Sequence, residues 1–483
     1  MPGYDYDRIL IGGRWTEPAS PEKVDVVSPA TEEVVARIPR VTAADVDRAV
    51  DAARESWRRR EWRDAPPDER VAAVRRLAGL LAEHADDLAQ RVTSEMGSPI
   101  TMSKGSQAGA IGLVRSFADA YEKLTLEERR PGPRGPAWIL REPVGVVAAI
   151  SPWNGPLFLS LVKVVPALLT GCSVVAKPAV ETPLTGFVLG ELLQRAGIPD
   201  GVVSILPADR DAGQHLVAHP GIDKVTFTGS TAAGRRIAAT CGEQLKRVSL
   251  ELGGKSAALA LDDVEVDVLV PALLAGSFYN SGQACNALTR LVVHTSRHDE
   301  VVDALIDGVK GLVVGDPADP KTQIGPMASA TQRARVESYI EAGRAEGATV
   351  ACGGGRPAGL PRGWYVEPTV FTGVDNSMRI AQEEIFGPVL SVIPFDGGDE
   401  AAVAIANDSD YGLHGAVFTA DPERALAVAR RVESGTFTLN GYLTNTAAPF
   451  GGLKASGLGR EFGPEGLGEF LEYRTINDPR ASA

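Results

Sequence analysis

The chain has 483 residues, 44% hydrophobic and 23% charged, enough for large cores and two or three domains. Its 49 lysines and arginines stand against 62 aspartates and glutamates, and the formal charge of −13 excludes nucleic acid and anionic membrane as main partners. Four cysteines at wide, irregular spacings form neither a disulfide framework nor a zinc site, and they point to a reducing, cytoplasmic compartment.

The first residues, Met1 to Asp7, lack the basic and apolar blocks of a signal peptide. No apolar run has the length that a membrane span requires. Ile9 to Trp15 alternates weakly and reads as a short hairpin. Thr42 with Asp45 makes a capping-box start. Val46, Val50, Ala53 and Trp57 then mark one helix face. Val71, Val74, Leu77, Leu81 and Leu88 continue the pattern in a second helix, and Gly97 closes this helix or the one that succeeds it. Arg129 to Pro136 is a basic Pro/Gly-rich break, and Ala137 to Arg141 a short β-prone run that reads as a surface hairpin or a pairing edge.

From Val144 the pattern changes. Val144–Ile150, Cys172–Ala176, Val202–Leu206 and Lys224–Thr228 are near-continuous apolar runs, as buried parallel strands require. Helical segments Leu157 to Leu169 and Leu184 to Ala196 lie between them. This predicts a doubly wound, Rossmann-like sheet. A second series follows: Ala257–Leu261, Leu291–His294, Val389–Phe395 and Gly415–Thr419. It predicts a second α/β domain that carries Cys285.

Several stretches carry chemistry. Cys285 follows the polar turn Asn280 to Ala284, where Gly282 lets backbone N–H groups approach a ligand. Its thiolate would be a strong nucleophile if its pKa fell from about 8.5; a buried, inert thiol is the alternative. Phe227 to Gly234 ends a strand and opens a helix, whose N-terminus suits a pyrophosphate. It is neither GxGxxG nor a P-loop, so taken alone it reads first as a plain strand-to-helix turn. Lys177 ends a predicted strand, where open α/β sheets hold ligands; a solvated lysine is the bland reading. All six histidines lie outside these stretches, so a Cys–His dyad has no local support. His215 and His219 have helical spacing without the Glu of HExxH, and no metal site is expected.

Taken together, Ser151-Pro-Trp-Asn-Gly-Pro156, Phe227 to Gly234, Glu251-Leu-Gly-Gly-Lys-Ser256, the Cys285 stretch, Gln382 to Pro388 and Pro449 to Glu461 occur in the order of the aldehyde dehydrogenase superfamily. The chain resembles that family from about Asp25 to Tyr473. The resemblance implies Cys285 as nucleophile, Glu251 as general base and Asn154 as oxyanion donor. It implies cofactor contacts from Ile150, Ser151, Pro152, Trp153, Lys177, Gly229, Ser230, Gly234, Leu252, Glu384 and Phe386. Lys163 matches a lysine behind the cofactor, and Pro449 to Glu461 a signature read here as structural. NAD is the expected cofactor. NADP stays open, because Val180 stands where many relatives have a glutamate that accepts the ribose 2′-OH.

The implied architecture is a cofactor-binding domain of residues 1–122 and 143–253 and a catalytic domain of 254–445. Residues 123–142 and 446–483 form a small β oligomerisation arm and tail of a homodimer or homotetramer. The implied reaction runs through a Cys285 thiohemiacetal and thioester. The presence of Glu251 favours hydrolysis to a free acid over transfer to coenzyme A. Gly155 and Val162 stand where relatives often carry aromatic rings, which should widen the entrance for a medium or bulky apolar aldehyde. Two rivals remain: a thiol hydrolase or amidase using Cys285, Glu251 and a lysine without redox cofactor, and a catalytically silent scaffold, which expects a lost nucleophile or base.

Overall fold

The structure, a computed structural model, describes residues 4–478. The outer ends of the expected spans 1–122 and 446–483, and the first three residues of the stretch read for a signal peptide, lie outside the described residues.

Five parallel strands form the middle of the first sheet, in the spatial order Val203–Ile205, Ser173–Lys177, Val146–Ile150, Lys224–Thr228 and Arg247–Glu251. Every residue of Val146–Ile150, Ser173–Lys177 and Lys224–Thr228 is buried, which is why these strands read as continuous apolar runs. Alternate residues serve opposite layers: Val147 and Ala149 pack into one core, Val146, Ala148 and Ile150 into the other. The chain leaves Val146–Ile150 toward one edge and returns to lay Lys224–Thr228 on its other side. This reversal is a topological switch point, where open α/β sheets bind ligands at the strands' carboxyl ends.

Both edges of this sheet are closed by distant segments. The hairpin Ile9–Ile11 with Arg14–Thr16 turns through Gly12 and Gly13, both at positive φ, and pairs with Val203–Ile205. At the other edge Gly457–Leu458 runs antiparallel to Arg247–Glu251, opposing Gly457 to Glu251. A Cβ at Gly457 would lie 2.1 Å from the Leu250 carbonyl oxygen, so only glycine lets the two segments meet.

Leu252 to Lys255 carries the chain into a second, seven-stranded sheet. There Ser256–Ala260 pairs in parallel with Leu288–His294 and Gly415–Phe418, and Val389–Phe395 lies beyond Leu288–His294. A third sheet joins Glu127–Arg130, Ala137–Pro143 and Leu471–Asn477. The β-prone run near Ala137 is thus no isolated hairpin, since a C-terminal strand lies along its other side.

The N-terminal helix Ala43–Arg59 starts as expected, with the Thr42 backbone N–H donating to the Asp45 carboxylate at 2.9 Å. The second expected helix is two, Pro67–Glu83 and Ala85–Met96, broken at His84; Gly97, at φ 80°, closes the latter. Leu88 therefore belongs to the later helix. Among the described residues no helix is long and apolar enough to cross a membrane.

Candidate active site

Two cavities meet at the seam between the large sheets, and Asn154 and Cys285 line both. The wider one has a volume of about 560 Å³ and the cleft on the other side about 220 Å³. Asn154 follows the carboxyl end of Val146–Ile150, and Cys285 stands just before strand Leu288–His294. The site therefore lies where the carboxyl ends of one sheet face the amino end of a strand in the other.

The Cys285 loop is held rigidly. Asn280, Ser281 and Gly282 all adopt positive φ, 52°, 56° and 73°. For asparagine and serine this is a strained conformation, sustained only when the surroundings over-determine it. Ser281 exchanges two hydrogen bonds with the Gly325 backbone, and the Gln283 Oε1 accepts from the Ala328 N–H at 2.9 Å. A Cβ at Gly282 would lie 2.1 Å from the Gly387 carbonyl oxygen. Asn280 Nδ2 donates to the Asn154 carbonyl, and Asn154 Nδ2 donates to the Gln283 carbonyl at 3.0 Å. The second N–H of the Asn154 amide is left for a ligand beside the sulfur.

The thiol itself is held neutral. Burial, then the negative charges of Glu384, Glu251 and Glu461, push Cys285 up to about 12. The sequence pointed to a nucleophile only if something lowered this pKa. The pocket does the reverse, because desolvation and the surrounding carboxylates both disfavour a thiolate. A base must therefore remove the proton.

Glu251 has the character of that base. Burial, then Glu461, raises its carboxyl well above the ordinary range, while Lys163 and Arg460 pull it back. Both its oxygens are buried without a hydrogen-bond partner, and the side chain lines neither cavity. One oxygen faces Gly451, where a Cβ would lie 2.7 Å away. Beside it, Lys163 donates to Glu461 at 2.5 Å in a buried ion pair. Removing one partner of such a pair costs about 3–5 kcal/mol. Glu461 and Phe450 line the wide cavity, so the signature from Pro449 to Glu461, read as structural, supplies part of the site.

The narrow cleft lies at the switch point. Pro152 and Trp153 come from one strand end, Gly229 and Ser230 from the next, and Leu252 from the third. Glu384 and Phe386 close the far side, with the Phe386 ring edge-on to Trp153 at 5.3 Å between centroids. Ser230 caps helix Thr231–Glu243 through the Ala233 N–H, and the cleft therefore receives that helix's positive end. Thr228 Oγ1 is buried there without a partner. A Cβ at Gly229 would lie 2.4 Å from the Phe227 ring, so the backbone stays bare for a close approach. Glu384, pushed upward by burial, accepts from the Gly254 N–H at 3.1 Å. A bare turn, an orphan hydroxyl, a helix N-terminus and a carboxylate fit a pyrophosphate and a ribose.

Some expected contacts lie outside this wall. Ile150 is core, and the Ser151 hydroxyl is tied to Ser160 at 2.8 Å. Gly234 acts indirectly, because a Cβ there would lie 2.5 Å from a Leu252 methyl. Lys177 sits beyond the cleft, where burial pulls its ammonium down to about 8 against Glu181 and Asp209. The sequence reading missed Gln332 and Arg335, which line the cleft from helix Ala330–Ala345 and donate to the Phe386 and Glu384 carbonyls respectively. Their helical spacing resembles any solvated face, so no local signal marked them. Gly155 lines the wide cavity, whereas Val162 does not. It is buried in the core and leaves the wall to Leu159 and Phe158.

The sequence pattern of the aldehyde dehydrogenase family matches residues 15–476. Geranial dehydrogenase of Castellaniella defragrans is 47% identical over 98% of both chains. The crystal structure of an aldehyde dehydrogenase of Mycobacterium tuberculosis complexed with NAD+ superposes with a TM-score of 0.98 over the full length of both, at 46% identity. A Pseudomonas syringae aldehyde dehydrogenase complexed with NAD+ and octanal superposes at 0.95, with 41% identity over 99% of this chain and 97% of that one.

Proposed function

The chain belongs to the aldehyde dehydrogenase family, and on that premise we propose that it oxidises medium or bulky apolar aldehydes to carboxylic acids with NAD+, using Cys285 as nucleophile. The observation that carries this reading is the meeting of two unlike cavities at one sulfur atom. Among the described residues no lysine or arginine lines the wide cavity, while leucine, valine and aromatic side chains line much of it, which suits an apolar aldehyde over a dicarboxylic one.

Glu251 takes the Cys285 proton, and the sulfur attacks the carbonyl carbon. The oxyanion is held by the free Asn154 N–H and the Cys285 backbone N–H; one such donor is worth about 3–4 kcal/mol. When bound, NAD+ supplies the hydride acceptor, so that the thiohemiacetal collapses to a thioester. Glu251 first gives up the thiol proton to solvent and, again a carboxylate, takes a proton from the water that attacks the thioester; the expelled Cys285 thiolate takes that proton back as the acid leaves. A carboxyl raised above its ordinary range by burial and Glu461 suits both transfers. Because the Glu251 side chain lines neither cavity, it reaches them by turning toward Cys285 or through Glu461 and Lys163.

The strands of the first sheet within 1–122 and 143–253 hold the cofactor, and 254–445 presents Cys285. Of segments 123–142 and 446–483, the third sheet serves as the arm of a homodimer or homotetramer, supported by its exposed Trp138, Tyr473 and Ile476, while Phe450, Gly457 and Glu461 belong to the site and the first sheet. Four free cysteines accord with the cytoplasm. Val180 leaves the 2′-phosphate of NADP unrepelled, so both cofactors belong in the assay. The test is a panel of apolar and charged aldehydes with NAD+ and with NADP+. NADH formation with apolar aldehydes is expected. Ester cleavage without any NADH formation would make the chain a thiol hydrolase instead.

A further inference from the structure

Lys255 carries a buried charge that the reaction itself does not use. It is 1% exposed, it lines neither cavity, and its Nζ has no hydrogen-bond partner among the described residues. Such a cation lowers stability, and an apolar side chain of similar length would not. Its position supplies a reason for keeping it. Lys255 ends the linker from Leu252 that joins the two large sheets, and that linker is wedged in place. A Cβ at Gly253 would lie 2.6 Å from Glu384 Oε2, and one at Gly254 would lie 2.4 Å from the Cys285 carbonyl oxygen. The Gly254 N–H donates to Glu384 Oε1 at 3.1 Å, and the Lys255 carbonyl accepts from Arg290 Nε at 3.0 Å. Lys255 is thus fixed directly behind the carboxylate that closes the cofactor cleft.

The charges around this pair come from four elements. Arg290 faces Lys255 from strand Leu288–His294, and Glu384 and Glu383 face it from the turn after Arg379–Gln382. Arg335 faces Glu384 from helix Ala330–Ala345, and the field of Glu384 reaches Cys285 and Tyr411. Burial pushes the Glu384 carboxyl up, while the Gly254 N–H, Arg335 and Lys255 draw it back. Of the two cations, Arg335 stands in the cleft wall, whereas Lys255 is enclosed, where charges are screened least. Resting on the reading of the cleft as the cofactor's, we propose that Lys255 is a positioning residue: its ammonium keeps the Glu384 carboxylate ionised, and the ionised carboxylate grips the ribose hydroxyls of the dinucleotide. Lys255 touches neither cofactor nor substrate and acts through Glu384 alone. A hydrogen bond to an ionised carboxylate is roughly twice as strong as a neutral one. The lost stability is retained because the grip depends on it.

The test is calorimetric titration of the full-length protein with NAD+, without aldehyde. Burial and then Arg290 pull the Lys255 ammonium down to about 7, so its charge is present below that pH and fades above it. At about pH 6, Lys255→Met should raise the NAD+ dissociation constant by about 10-fold, the equivalent of one unit in the Glu384 carboxyl. At about pH 9 the variant and wild type should agree within about 2-fold, because the wild-type lysine is then neutral as well. In a Glu384→Gln background, Lys255→Met should change the constant by less than about 2-fold at either pH, since the carboxylate it serves is gone. Lys255→Gln serves the same purpose if the methionine variant does not fold. Unchanged affinity at the lower pH, an equal loss at both pH values, or a loss that persists without the Glu384 carboxylate overturns the proposal. If wild type binds NAD+ at neither pH, the dehydrogenase reading itself fails, which is a different result.

Discussion

The cofactor cleft and the wide cavity share Asn154 and Cys285 and differ in almost everything else. The cleft is assembled mainly from turns at the carboxyl ends of three adjacent strands, with bare backbone at Gly229 and Gly253. The wide cavity is walled by side chains from segments scattered between Val92 and Phe462. Strand-end turns answer a dinucleotide with backbone groups. The aldehyde varies, and its wall consists of side chains that can change without disturbing a strand. The Cys285 stretch belongs to both regions, and buried hydrogen bonds hold its chain of left-handed residues in place.

Substitutions can separate the two regions. The largest effect should come from the atom they share. Cys285→Ala removes the nucleophile, and kcat should fall by about 10⁴-fold or more, while the NAD+ dissociation constant stays within about 2-fold. Unchanged turnover would mean that the cavities do not feed this sulfur. Next comes Glu251→Gln, expected to lower steady-state turnover by about 10²–10³-fold. Rapid mixing should still show a first burst of NADH that stalls at the thioester.

The pH profile sharpens the same point. Burial and Glu461 raise the Glu251 carboxyl, so its base form grows in at a higher pH than for an ordinary carboxylate near 4.5. The acidic limb of kcat should lie correspondingly high and vanish in Glu251→Gln. Gly229→Val acts on the cleft alone. Its Cβ would drive into Phe227, and the NAD+ dissociation constant should rise by about 10–100-fold, read by cofactor titration, with Cys285 still open to iodoacetamide.

The smallest effect lies behind the cleft. Lys255 is buried with an unpartnered ammonium, which burial and then Arg290 pull down to about 7. The unfolded lysine titrates near 10.4. Folding therefore releases a proton between those values. The penalty grows as pH falls through that window and is complete below about 7. Lys255→Met should raise the melting temperature by about 2 °C at neutral pH, and the gain should fade toward pH 10. A gain independent of pH would show that the ammonium is already paired.

Much of this could be read along the chain. Continuous apolar runs predict buried parallel strands, and those around Val146, Ser173, Lys224 and Val389 lie within a residue or two of their expected limits. The turns after Val146–Ile150 and Lys224–Thr228 could be placed on the site because a strand end and the turn that follows it are local in sequence. Cys285 stood out because a polar, glycine-containing turn precedes it. Lys163 and Glu461 did not read as a pair, being 298 residues apart. Gly457 gave no sign that it pairs with Glu251.

By itself, then, the sequence determined the two α/β sheets, the turn that faces a dinucleotide, and the residues capable of nucleophilic and base chemistry. Each of these rests on short-range rules of period, turn and charge. Only the tertiary structure decided that the thiol is held neutral and that Glu251 turns away from both cavities. Those features depend on which distant side chains share one desolvated space, and that is set by the packing of the whole chain.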